Sequence, residues 1–80
     1  MKIPRDLSGQ ELAKSLATLG YVAVRQRGSH QTLTTMLGGE HHVTIPLHHA
    51  LKPGTLNALL KDVADHHGMT RDGLLQALFG

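Results

Sequence analysis

Arg25, Arg27, Gly28, Ser29 and His30 fall in one short stretch, VRQRGSHQTL, that otherwise reads as β-strand. A turn accounts for the glycine and the serine. It does not account for two arginines, or for a histidine at the mouth of the next strand. An imidazole with a pKa near ~6.5 takes up and releases protons at neutral pH. Arginines grip phosphate oxygens, and turn N–H groups help to stabilise developing negative charge. Each residue also has a plainer reading: a half-exposed surface histidine, solvated strand arginines, a glycine placed where the turn needs a positive φ. Lys52, just ahead of a second helix, adds a cation beside the free N–H groups of a helix start. Its plainer reading is a lysine exposed to water. His48 and His49 share that loop and offer further phosphate contact.

Other chemistries are poorly served. His41 and His42 are adjacent on a strand and point to opposite faces. His66 and His67 stand about 100° apart on a helix. Neither pair has the His-x₃-His spacing that shares one helical face and suits a metal. Asp62 and His66 do share a face, which reads as a surface pair. The six acidic residues are scattered, which argues against a two-metal nuclease. Ser29 points away from His30, so no Ser-His-Asp arrangement forms. No metal and no cofactor are expected. The absence of cysteine excludes disulfides and thiolate zinc sites and fits a reducing cytoplasm. No apolar run approaches the ~20 residues of a membrane span. The opening MKIPRDLSGQ lacks the apolar stretch of a secretory signal, and Met1 leads to the expectation of a complete, unprocessed chain. A net charge of +2 with neutral histidines permits a polyanionic partner without requiring one. Tyr21 and Phe79 are the only aromatics, which argues against recognition by stacking bases on an aromatic sheet.

Eighty residues make one small domain, spanning 1–80, with one modest core. SGQE at Ser8 to Glu11 is a capping box. Leu12, Leu16 and Leu19 then form an apolar stripe beside Ala13 and Ala17, and Gly20 is a natural stop. This predicts a helix over about 9–19. YVAVRQ, HQTLTTM and HHVTIPL read as strands separated by turns at RGS and at Gly38-Gly39, links too short for anything but an antiparallel meander. An odd-numbered second loop sets Leu33 opposite Val43, burying Leu33 and leaving the threonines outside with His30. By the same parity Arg25 and Arg27 share a face with Tyr21 and Ala23. Pro53 suits the first turn of a second helix, with Leu56, Leu59, Leu60 and Val63 as its buried stripe and His67-Gly68 as its end. Thr70 caps a last short helix carrying Leu74, Leu75 and Leu78, which either completes the core or offers an apolar patch to a partner. The fold class is therefore α+β: a two-layer sandwich in the order α-β-β-β-α, like the double-stranded-RNA-binding domain, with a short extra C-terminal helix.

The stretches GYVAVRQRGSHQTL (20–33), HVTIPLHHALKPGTLNALLKD (42–62) and GMTRDGLLQAL (68–78), in this order and spacing, resemble the HicA family of toxins. These are small mRNA interferases of bacterial type II toxin–antitoxin systems. The resemblance covers most of the chain from Ser8 onward and implies a fold similar to the double-stranded-RNA-binding domain, in agreement with the order read from the pattern. It implies that His30, the histidine of the Gly-Ser-His motif, is catalytic, and that the partner is an antitoxin of the HicB family. Two features depart from the family pattern. Gln31 and Thr32 follow His30 where many members carry a second histidine or an aliphatic pair, and the doubled His48-His49 and His66-His67 are unusual. Both bear on substrate preference.

The chemistry that follows is economical. RNA brings its own nucleophile, the 2′-hydroxyl, so a cleaving protein needs to position the strand, move a proton and stabilise charge on phosphorus. His30 would be the general base or acid, with Arg25, Arg27, Gly28, Ser29 and Lys52 binding RNA. The expected reaction is a metal-free transesterification of mRNA leaving a 2′,3′-cyclic phosphate. An antitoxin would inhibit by covering His30 and the arginine surface. No membrane and no direct DNA binding by the toxin alone are expected. The alternatives are a non-catalytic double-stranded-RNA-binding module and a partner-binding domain with no RNA role.

Overall fold

The computed structural model describes residues 2–80. Helix α1 (Gly9–Leu16) tightens into a 3₁₀ turn (Ala17–Leu19) and stops at Gly20. Strands β1 (Val22–Arg27), β2 (His30–Thr35) and β3 (His41–Pro46) follow, then helices α2 (Pro53–His67) and α3 (Arg71–Phe79). The strands form one antiparallel sheet in the order β1-β2-β3, giving an α+β sandwich like the double-stranded-RNA-binding domain with an added C-terminal helix.

The local signals act as the sequence reading requires. Ser8 Oγ accepts from Glu11 N at 3.0 Å while Glu11 Oε1 accepts from Ser8 N at 2.9 Å, so two otherwise free donors of α1 are satisfied. Those two bonds also hold the Glu11 carboxyl below its usual range. Pro53 is the first residue of α2, and Thr70 Oγ1 accepts from Gly73 N to cap α3. Leu33 pairs with Val43 and is 2% exposed, as the odd-length loop requires. Leu33, Val43 and Ile45 meet Leu12, Leu16, Leu60, Val63 and Leu74 in one core. Leu59 is only partly buried at its rim, and Ala64 is buried instead. Leu74, Leu75 and Leu78 complete the core, so α3 is a structural element rather than an apolar patch.

One expectation is overturned. Arg25 and Arg27 do not share a face with Tyr21 and Ala23. Ala23 pairs with Leu33, but Arg25, not Val24, pairs with the next residue, Thr32. Val24 is the extra residue of a β-bulge, and a bulge inverts the alternation beyond it. Tyr21 and Ala23 keep the parity of the helix-facing side, whereas Arg25 and Arg27 pair with Thr32 and His30 on the open side.

Tyr21, 2% exposed, is fixed by the histidines that resist a metal-site reading. His41 Nε2 lies 3.1 Å from Asp62 Oδ1. A carboxylate only accepts, so this nitrogen carries the proton. His41 Nδ1 then accepts from the Tyr21 hydroxyl at 2.7 Å, and the Tyr21 oxygen accepts from His67 Nε2 at 3.1 Å. His66 stacks on His41 with ring centroids 4.4 Å apart and donates to the carbonyls of Leu37 and Gly39. His42, on the other face, accepts from Thr34 Oγ1 and donates to Glu40. Burial and the neighbouring Asp62 push the Tyr21 phenol up to about 12.

Tyr21→Phe strips both histidines of their shared partner and should cost about 1–3 kcal/mol. Thermal unfolding would show this as a midpoint lower by ~4 °C or more. Burial first, then the adjacent His66 and His41, holds His67 below its ordinary value. The unfolded chain therefore takes up a proton near pH ~6.5 that the folded chain refuses until lower pH. Stability should fall as pH drops through that range and level off below the folded pKa. Urea titrations at a series of pH values should show a smaller drop for His67→Gln.

Candidate active site

His30 opens β2 immediately after a two-residue hairpin loop, Gly28-Ser29. Gly28 has φ 56°, Ser29 has no positive φ, and nothing lies within 4 Å of where a Gly28 Cβ would be. Glycine is needed there for conformation, not for space, as in a type II′ hairpin turn. The loop closes on the pair Arg27–His30. Arg25, Arg27, Ser29 and His30 are all exposed, and the bulge at Val24 has put both guanidinium-bearing positions on the histidine's side of the sheet.

The His30 ring does not stand alone. Its centroid lies 6.3 Å from that of His48, with the planes at 72°. The two line a cleft of ≈ 370 Å³ with Pro46, Leu51, Lys52 and Thr55. No carboxylate lines it. Lys52 is the N-cap residue of α2, no side chain caps that helix, and Pro53 follows at its start. The start of α2 thus contributes Lys52 and Thr55 to the same cleft, and a helix N-terminus with a nearby lysine favours anions. His30 and Lys52, widely separated in sequence, are brought together here. Gly28 and Ser29 form the turn beside the cleft, with Arg25 and Arg27 flanking His30 along the sheet.

The sequence reading gave His48 only a minor part. Its position was legible from the register. His30 pairs with Pro46, so His48, two residues further along, has the same parity and is the diagonal neighbour of His30. The backbone that carries it is tied on both sides. Leu47 N donates to Ser29 O at 2.6 Å, and Gly9 N donates to His48 O at 3.0 Å. Gly9 must be glycine for a packing reason: a Cβ there would collide with the carbonyl of Pro46.

The remaining histidines lie elsewhere. His41, His66 and His67 gather around Tyr21. His49 is exposed and does not line the cleft. Among the described residues no group of three or more histidine, aspartate or glutamate side chains is placed to hold a metal ion. No helix among them is long and apolar enough to cross a membrane. A larger concavity, ≈ 620 Å³, runs along Ile3, Asp6, Leu51, Lys52, Asn57 and Arg71. It contains no histidine and shares only its Leu51–Lys52 rim with the His30 cleft.

A family model described as the HicA toxin of bacterial toxin–antitoxin systems matches residues 9–64. This span runs from α1 to near the end of α2 and includes His30, His48 and Lys52. No curated protein and no solved structure matches the chain.

The two glycines make different predictions. Gly28→Ala should cost about 1–2 kcal/mol for conformation alone, because only glycine adopts the first position of this turn without strain. Gly9→Ala should cost more and shift the amide resonances of residues 46–48. Denaturant titrations and backbone NMR check both.

Proposed function

The chain belongs to the HicA toxin family of bacterial toxin–antitoxin systems, and on that premise we propose that it is an endoribonuclease that cleaves mRNA with His30 moving the proton. The observation that carries the reading is the exposed His30 imidazole, set between two same-face arginines and a cleft that holds Lys52 and no carboxylate. RNA supplies the 2′-hydroxyl. His30 acts on the proton of the attacking or leaving oxygen, a contribution worth ~10²–10⁴-fold in rate. Arg25 and Arg27 hold the backbone, and Lys52 with the α2 N-terminus offsets charge that develops on phosphorus. The product is a 2′,3′-cyclic phosphate, formed without a metal.

An antitoxin partner follows from the family, and we take it to be HicB-like. Inhibition works by covering His30 and the arginine-bearing surface, since an RNA-competitive partner must occupy that face. The setting is the cytoplasm, where transcripts and antitoxin are both present. The fold also favours a second reading, a double-stranded-RNA-binding module without catalysis.

Purified protein on end-labelled RNA, with chelator present, separates the two. Cleavage that survives chelator and is lost in His30→Ala supports the nuclease. Binding without cleavage, unchanged by His30→Ala, supports the module. Arg25→Ala and Arg27→Ala should each weaken binding of uncleavable RNA and lower its salt dependence by about 0.7 in log–log slope. A slope that does not change would remove the arginines from the interface.

A further inference from the structure

Resting on the nuclease reading, we infer that His48 is a second catalytic residue, so that the reaction is carried by a pair of imidazoles rather than by His30 alone. Strand transfer at phosphorus needs two proton movements, one off the 2′-oxygen and one onto the departing 5′-oxygen, at opposite ends of an in-line displacement. One imidazole accounts for one of them. The His48 ring lines the same cleft as the His30 ring, edge-on to it at 6.3 Å between centroids. A catalytic hydrogen bond reaches about 3 Å between heavy atoms, and two rings this close on one cleft can both contact a single phosphodiester. Both His30 and His48 are exposed, and Lys52 and Thr55 at the start of α2 line the same cleft.

His48 is also held in place. The hydrogen bonds Leu47 N to Ser29 O and Gly9 N to His48 O fasten its backbone to the turn before His30 and to the start of α1. An unconstrained loop histidine would need neither. His49, its neighbour, does not line the cleft.

The step balances with these two groups. One imidazole takes the 2′-hydroxyl proton as the 2′-oxygen bonds to phosphorus. The bond from phosphorus to the 5′-oxygen breaks, and the other imidazolium gives its proton to that oxygen. The products are a 2′,3′-cyclic phosphate and a 5′-hydroxyl end, and the two histidines have exchanged protonation states.

The test uses an RNA that the full-length protein cuts, prepared with either oxygen or sulfur at the bridging 5′ position. A departing thiolate needs no proton, so sulfur bypasses the acid and leaves the base essential. On the oxygen substrate, His30→Ala and His48→Ala should each lose ~10²–10⁴-fold. The parent should show a bell-shaped pH–rate profile that loses one limb in His48→Ala. On the sulfur substrate, one of the two impaired variants should recover to within about tenfold of the parent, and the other should stay slow; which one recovers identifies the acid. Binding of 2′-O-methyl RNA and the circular dichroism spectrum should be unchanged in both. His48→Ala cutting at the parent rate overturns the inference, as does recovery of both variants or of neither. A fully active His30→Ala overturns the nuclease reading itself, a separate result.

Discussion

One inserted residue, Val24, decides which face of the sheet carries positive charge. Two constraints meet in β1 and disagree. At its start, Tyr21 must point into the helix layer, where its hydroxyl joins His41 to His67. At its end, the tight Gly28-Ser29 loop fixes Arg27 opposite His30. Strict alternation would then send Arg25 and Arg27 to the side of Tyr21. That side is the core for much of the sheet, and unpaired guanidinium groups are costly there. The bulge absorbs the conflict: alternation restarts beyond Val24, and the arginines emerge beside the imidazole. Val24 itself, 58% exposed, packs against nothing that would demand it. Its contribution is to the register. A bulge and cationic side chains on an edge strand also discourage pairing with the strands of other molecules, so one device serves both solubility and the site.

The histidines divide the molecule into two ends. Near the β2–β3 loop and the end of α2, His41, His66 and His67 act as hydrogen-bonding struts, tied to Asp62, Tyr21 and the carbonyls of Leu37 and Gly39. At the Gly28-Ser29 turn and the start of α2, His30 and His48 have no such partners among the described residues and open onto a cleft. The same residue type is spent on structure where its nitrogens are occupied and is available for chemistry where they face solvent. A count of histidines in the sequence cannot make that distinction; the partners decide it.

Much of the fold was legible because it rests on short-range rules. The Ser8–Glu11 box, Pro53 at a helix start and Thr70 as a cap each depend on a few neighbouring residues. The pairing of Leu33 with Val43 followed from requiring one apolar face on both strands. The bulge was not legible. No glycine marks it, and YVAVRQR reads equally well with or without an inserted residue. Leu59 was assigned to the buried stripe because helical periodicity alone does not say how wide the covered face is. Within the site, the cluster at Arg25 to His30 could be picked out as a motif, but its company could not. His48 looked like a loop residue until the Pro46 register and the two backbone ties fixed its direction. Lys52 joins it only because α2 begins at that end of the sheet.

The site also sits where a chain of this size can sustain it. The core is built from leucines, with Val43, Ile45, Val63 and Tyr21, and none of the residues assigned to the cleft's chemistry belongs to it. Small domains have little stability to spare, and a buried ionisable group would draw on it directly. Placing His30, His48, Lys52 and the two arginines on turn, strand end and helix start leaves these polar groups in water until a ligand arrives. What the fold contributes is position: the hairpin sets His30, the Gly9 and Ser29 ties set His48, and the bulge sets the arginines. Chemistry at this edge can therefore change with few consequences for the core, whereas Tyr21, although it lies outside the cleft, couples the two. Its anchoring in the histidine cluster holds the start of β1 to the helix layer, and the bulge reconciles that start with the arginines at the other end.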